Sequence, residues 1–420
     1  MTSPVWHPFT QHGLNQPVFE IVRARGAWLE MADGTRLLDG VSSWWVTTHG
    51  HAHPAIIAAI KSQTDRLDQV MFAGLTHEPA ETLARALITL APPGLAHVFY
   101  SDSGSTAVEV ALKMALGFWR NRGQPRSRIA AFEHGYHGDT VGTMSAGARG
   151  VFTAGFEPLM FDVTRIPFPH AGSVQATLDA LEAACKAEPL AALIIEPLIL
   201  GAGGMLTYPA HVLAAMKSVC QAHGALLIAD EVMTGWGRTG TLFACEQAGI
   251  TPDILCTAKG LTGGALPLAA TLCTAAVFEA HRSTDRARMF FHSSSYTANP
   301  ICCAAALANI GVWRDEPVME RVQSLVQLQT KAMERFKADP RFSGVRQCGT
   351  ITALDLRGPE TGYLASLGPG LSTFFMARGI LLRPLGNTMY VMPPYCITAA
   401  ELGSIYDAVD AAGARFGAPS

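Results

Sequence analysis

Between residues 97 and 258, five short apolar runs alternate with helix-like stretches, and few architectures accommodate that order. The runs are HVFY (97–100), RIAAF (128–132), AALIIE (191–196), ALLIAD (225–230) and DILCTA (253–258). They are short for helices and are bounded by turn residues, so they read as strands buried on both faces. The intervening segments 105–120, 174–187 and 209–223 are helix-like. A strand–helix series of this kind makes a mostly parallel sheet covered on both sides. Such sheets bind ligands at the carboxyl ends of their strands.

The flanks read differently. Upstream, VFEIVRARGAWLEM alternates loosely, Asp33-Gly34 makes a turn and TRLLDG resumes, which predicts a hairpin. Beyond about residue 315 a long helix (316–338) precedes short strands around 344–356. A helix near 370–378, strands near 380–392 and a last helix from 399 follow. The expected fold class is α/β: a large domain at 49–315 with a mostly parallel sheet, and a smaller α+β domain built from 1–48 and 316–420. A chain of 420 residues, 49% apolar and 15% charged, is large and apolar enough to bury such cores.

Composition removes several function classes. A net charge of −3 leaves no basic surplus for a nucleic-acid backbone. No apolar run is long enough to span a bilayer, and MTSPVWHPFTQHG lacks the pattern of a secretory signal. The nine cysteines are scattered and odd in number, which argues against a disulfide framework. A reduced, cytoplasmic protein with buried thiols is expected, with neither membrane nor nucleic acid as a partner.

The residues at the strand ends carry the chemistry. ALLIAD ends in Asp230, and DILCTA is followed at once by Lys259. A lysine forms a Schiff base with the aldehyde of pyridoxal phosphate, and a carboxylate keeps the pyridine nitrogen protonated. Of the seven lysines, the other six lie in helix-like stretches where a solvated ammonium is the ordinary reading. Ser103-Gly104-Ser105 stands where strand gives way to helix. It reads either as a phosphate cup of backbone amides or as a plain helix cap. It is neither a Walker loop nor a G-x-G-x-x-G fingerprint. In EHGYHGDT, Tyr136 is either a ring-stacking residue or a core tyrosine, with His137 and Asp139 beside it. HGHAHP offers His49, His51 and His53 at alternate positions, but no acidic or thiol ligand joins them locally, so a structural loop is expected and no metal.

Together these residues resemble the class III aminotransferases of fold type I, over essentially the whole chain. LLIADEVMTGWGRTG followed by PDILCTAKGLTGG is the most specific stretch. VWHPFT, GVSSWW, DSGSTAVEVALKMAL, GYHGDT, GAGGM and RPLGNTMYVMPPY resemble the biotin-biosynthesis branch of that class. The resemblance implies transfer of an amino group from S-adenosylmethionine to 8-amino-7-oxononanoate. Lysine as donor, or an ω-amino acid:pyruvate activity, are its alternatives. It also implies a homodimer with shared active sites. Lys259, Asp230 and Tyr136 would be catalytic, and Gly104, Ser105 and Ser295 would hold the phosphate, Ser295 that of the partner subunit. Trp44, Asp139, Ser293 and Arg383 would meet substrate, Arg383 at a carboxylate. Three positions depart from the common pattern: Phe9 replaces a tyrosine, Leu200 a glutamine, and Ser294-Ser295 a Pro-Thr pair.

Overall fold

The computed structural model describes residues 4–14, 17–358 and 360–417. Its central sheet has seven strands, in the spatial order Leu95–Ser101, Ala269–Thr274, Ile254–Thr257, Leu226–Asp230, Ala192–Ile195, Ile129–Phe132, Thr164–Ile166. All five apolar runs are strands of this sheet. Four of them are buried at every residue, while Leu95–Ser101 is buried at both ends and half-buried between. Successive side chains face opposite sides. Ile129, Ala131, Ile194, Ile228 and Cys256 pack on one face against the helix Gly104–Asn121. Ala130, Phe132, Leu193, Ile195 and Leu227 pack on the other, against the helices Val174–Ala187 and Ala210–Ala222.

Two strands, Thr164–Ile166 at one edge and Ala269–Thr274 inside the sheet, were not legible beforehand. Ala269–Thr274 (AATLCT) runs antiparallel between Leu95–Ser101 and Ile254–Thr257. Its small, mixed residues carry little strand signal, and its position comes from filling the gap between two neighbours. It is reached from Ile254–Thr257 through the short 3₁₀ turn Lys259–Thr262 rather than a crossover helix, so the direction reverses.

The two flanks meet. Ile380–Leu381 pairs in parallel with Arg36–Asp39, joining the C-terminal part to the N-terminal hairpin in a four-stranded sheet. Phe342–Cys348, Ile351–Leu356 and Thr388–Val391 form an antiparallel three-stranded sheet, backed by the helices Val318–Lys337 and Ala399–Phe416. Leu38, Val41 and Trp45 lie in the same apolar core as Phe336, Phe375 and Ile405.

The expectation that six lysines are solvated fails at Lys217. Its helix lays this face on the sheet, and the ammonium donates to Asp253 at 2.7 Å. Asp253 also accepts the Leu227 amide, so the charge pair stitches the starts of two central strands. All nine cysteines are free, and seven are buried. Among the described residues no helix is long and apolar enough to cross a membrane.

Candidate active site

Parallel register brings the chemistry together. Asp230 pairs with Cys256, so the chain leaves Thr257 beside the Asp230 strand end and turns at Lys259. Lys259 adopts a left-handed backbone (φ 45°), unusual for a side chain of this kind. Both residues line one cavity of about 430 Å³ with Gly104, Ser105, Tyr136, His137 and Glu196.

Asp230 is buried and oriented. Its Oδ2 hydrogen-bonds His137 Nδ1 at 2.7 Å, and its Oδ1 accepts the Val232 amide at 3.2 Å. A carboxylate only accepts, so the proton of that contact sits on Nδ1. Nε2 of His137 is buried without a hydrogen-bond partner. Glu196 lies in the same buried group. Its two oxygens accept the Tyr136 amide at 2.9 Å and the Gly201 amide at 2.8 Å. Burial pushes the Glu196 carboxyl up to about 7, against the pull of His137 and with a further push from Asp230. Burial also lowers the Lys259 ammonium, partly offset by Asp230 and Glu196. A lowered lysine reaches its neutral, nucleophilic form more easily.

The helix Gly104–Asn121 aims its N-terminus at this cavity. Ser103 is its cap: Ser103 and Thr106 exchange side-chain–backbone bonds at 3.2 and 2.9 Å. The capping reading therefore holds for Ser103, while Gly104 and Ser105 face the cavity. A Cβ on Gly104 would meet Val232 Cγ1 at 2.6 Å, which is how the helix end comes so close to the Asp230 strand. Gly138 (φ 130°) makes a second close approach; a Cβ there would meet Ser105 Oγ at 2.1 Å. The N-terminus of this eighteen-residue helix lies at the cavity beside two buried carboxylates and a lysine. Backbone amides suit a phosphate, and the oriented carboxylate suits a cationic ring nitrogen. This donor set fits pyridoxal phosphate.

A second cavity of about 340 Å³ opens from Lys259 and Tyr136 toward Phe9, Trp44, Phe152, Tyr363 and Arg383. Its walls are aromatic. Phe9 lies 5.7 Å from Trp44 and 6.0 Å from Phe152, and Phe152 meets Tyr363 edge-on at 4.5 Å. The Arg383 guanidinium sits over Trp44 at 4.6 Å. The Lys259 ammonium lies 5.1 Å from the Trp45 ring, whose Nε1 donates to the Tyr390 hydroxyl at 2.9 Å. Burial, then the Asp139 carboxylate, raises the Tyr136 hydroxyl well above its ordinary range, so it stays protonated.

Among known families, the class III aminotransferase family matches residues 9–412. The chain belongs to the class III aminotransferases. It is 47% identical over 413 residues to the adenosylmethionine-8-amino-7-oxononanoate aminotransferase of Synechococcus elongatus, covering 96% of this chain and 97% of that one. The enzyme of the same name from Geobacter sulfurreducens is 40% identical, covering 97% and 94%. The crystal structure of the Methanocaldococcus jannaschii enzyme of that name superposes with a TM-score of 0.94 at 33% identity, covering 98% and 97%. An amine transaminase from an uncultivated Pseudomonas species, solved in its PLP-bound form, superposes at 0.93 with 32% identity, covering 99% and 100%. The protein is thus a pyridoxal-phosphate-dependent aminotransferase with the fold type I architecture.

For this aminotransferase, the structure gathers Lys259, Asp230, Tyr136, Gly104, Ser105, Trp44, Asp139 and Arg383 around two adjoining cavities. It does not bring Ser293 or Ser295 there. Both are exposed on the irregular segment before Pro300, where the Ser295 carbonyl accepts from Gln69 at 2.6 Å. Ser294 instead donates to Asp102, next to the cap Ser103 of the helix Gly104–Asn121. Leu200 is fully buried in the core beneath the sheet and lines neither cavity, so an apolar side chain suits that position. Glu196, Phe152, Tyr363 and Tyr390 were missed. Glu196 had a signal, as the polar end of the run AALIIE. Phe152 and Tyr363 arrive from irregular segments that carry none, and Tyr390 comes from the strand Thr388–Val391, where it reads as an ordinary core residue.

The HGHAHP histidines diverge. His49 meets Asn309, His51 meets Asp39, and His53 meets Glu316. Burial lowers His49 to about 4, which keeps it neutral.

Proposed function

We propose that this enzyme transfers an amino group from S-adenosylmethionine to 8-amino-7-oxononanoate, giving 7,8-diaminononanoate for biotin biosynthesis. The printed names of its relatives supply these substrates. The observation that carries the reading is the aromatic-walled cavity between Lys259 and Arg383. A linear keto acid has an apolar chain for Phe9, Trp44 and Tyr363 and a carboxylate for Arg383.

When bound, the cofactor supplies an electron sink for the charge left at the substrate carbon. Gly104 and Ser105 are assigned to its phosphate and Asp230 to its ring nitrogen, with His137 fixing the Asp230 carboxylate. Tyr136 would stack on the ring, and Asp139 would help position Tyr136 and the substrate amine. Lys259 Nζ would hold the cofactor and, once the donor amine had displaced it, would be the free amine that takes the proton from the donor's Cα.

We assign a homodimer with shared active sites to the same reading. Met71, Leu75, Phe291 and Tyr296 are large apolar side chains exposed on and near the segment carrying Ser293 and Ser295. A second copy covering them is the natural place for Ser295 to reach the partner subunit's phosphate and for Ser293 to meet substrate. Segment division at 48/49 and 315/316, and a cytoplasmic location that suits the free thiols, belong to the same proposal.

The test follows the bound cofactor's absorbance. S-adenosylmethionine, lysine, alanine and 4-aminobutyrate are added separately, and 8-amino-7-oxononanoate afterwards. Conversion by S-adenosylmethionine and recovery by the keto acid are expected. Conversion by lysine alone, with the same recovery, keeps the acceptor and changes the donor. Conversion by 4-aminobutyrate or alanine with no recovery moves the enzyme to the ω-aminotransferases, a reading favoured by the Pseudomonas amine transaminase fold match.

A further inference from the structure

The turn that carries Trp44 and Trp45 is held in an unfavourable backbone conformation. Ser42 (φ 51°), Ser43 (φ 62°) and Trp45 (φ 66°) all occupy the left-handed region that side chains avoid. Something must hold them there. The Ser42 hydroxyl donates to the Met392 carbonyl at 2.8 Å, which fixes one end. Trp45 is tied to Tyr390 by its indole, and a further constraint is Asp39, the last residue of the strand Arg36–Asp39 and fully buried. Its Oδ1 accepts the Val41 amide at 3.1 Å, and its Oδ2 accepts the Ser43 amide at 2.6 Å. The same Oδ2 bonds His51 Nε2 at 2.8 Å.

His51 is fixed in turn. Its backbone exchanges hydrogen bonds with Gly26, at 2.8 and 3.1 Å, in an isolated antiparallel bridge. Its side chain is largely buried. It is the member of HGHAHP whose ring reaches toward the cavity turn, whereas His49 and His53 point to Asn309 and Glu316.

We propose that Asp39 and His51 form a brace that holds the Ser42–Trp45 turn, and so sets Trp44 under Arg383 and Trp45 beside Lys259. Neither lines the two cavities, so both are positioning residues. Their effect is on substrate affinity, because the tryptophans wall the binding space, while Lys259 and Asp230 stand on the sheet. Asp39 satisfies two turn amides whose geometry no side chain of the turn itself provides. His51 stabilises the buried carboxylate that does so.

The inference rests on the class III assignment but not on the choice of substrates. Full-length His51→Phe, His51→Gln and the double variant His51→Phe with Ser43→Gly are compared with wild type. The apoproteins are read by near-UV circular dichroism, and the holoenzymes by KM and kcat for whichever acceptor wild type accepts. His51→Phe should change the tryptophan near-UV signal, with far-UV signal kept, and raise KM about tenfold with kcat little changed. His51→Gln keeps an N–H toward Asp39 and should restore both. Ser43→Gly should recover much of the affinity lost in His51→Phe, because glycine occupies a left-handed backbone without restraint. An unchanged KM and near-UV signal in His51→Phe would overturn the brace. So would equal damage in His51→Gln, or KM and kcat worsening together with no rescue by Ser43→Gly.

Discussion

The floor and the rim of this active site are built in different ways. The floor comprises Gly104, Tyr136, Glu196, Asp230 and Lys259, each within a few residues of a strand in one sheet. Ladder hydrogen bonds fix its register, and buried side-chain bonds at 2.7–2.9 Å fix its polar groups. The rim comprises Phe9, Trp44, Phe152, Tyr363 and Arg383, drawn from five separate stretches outside the sheet. Ring contacts of 4.5–6.0 Å and one cation–ring contact hold it, and Phe9 and Trp44 remain 48% and 39% exposed. Under the proposed assignment, reaction type rests on the part of the molecule with least freedom, and substrate choice on side chains that can change without disturbing a ladder. Phe9, one of the three departures from the usual pattern, stands on the rim.

Four substitutions break or sharpen that contrast. Lys259→Ala should cost the most: transamination falls by about a thousandfold or more, while circular dichroism and melting temperature show a folded protein. Steady-state turnover without an added amine base would refute the role of the lysine.

Glu196→Gln should act on the floor through pH. The folded carboxyl titrates near 7 and the unfolded one near 4.5. The folded protein thus holds a proton in that window that the unfolded chain lacks. Its stabilising contribution is complete below 4.5 and is lost as pH rises through 7. Burial of this group makes that loss at most ~3 kcal/mol. Denaturant titrations of the apoprotein at several pH values should show the slope, and the variant should flatten it.

On the rim, Arg383→Ala should raise KM for the keto acid about tenfold to a hundredfold with a smaller change in kcat, from loss of a charge-assisted contact. An amine donor without a distal carboxylate should be affected less. Comparable losses for both would mean that Arg383 acts only by packing on Trp44.

Phe9→Tyr should have the smallest effect. A hydroxyl gained in the pocket contributes about 0.5–1.5 kcal/mol, a few-fold change in KM. It should appear for one substrate and not the other in separate half-reactions. An equal change for both would show that Phe9 does not discriminate between them.

Much of the floor was legible along the chain. Short, mostly apolar runs bounded by turn residues read as strands of one sheet, so their ends mark a ligand site, and Asp230 and Lys259 follow from them. The capping chemistry of Ser103 and the turn at Asp33-Gly34 are likewise local. Lys217 was misread because a helix face becomes buried only when the sheet beneath it exists. Ala269–Thr274 was missed because its strand character comes from its neighbours. Glu196 looked like the tail of a strand until Tyr136 and Gly201 arrived to use both its oxygens.

By itself, then, the order of residues determined the alternating architecture, the lysine–aspartate pair and the helix amides beside them, because each depends on contacts within a short stretch or on one sheet register. Tertiary structure decided the rim, the His137–Asp230 bond and the Asp39–His51 contact. These join residues whose meeting depends on how separate elements pack, and no local pattern encodes a distance between side chains that the chain brings together only after folding.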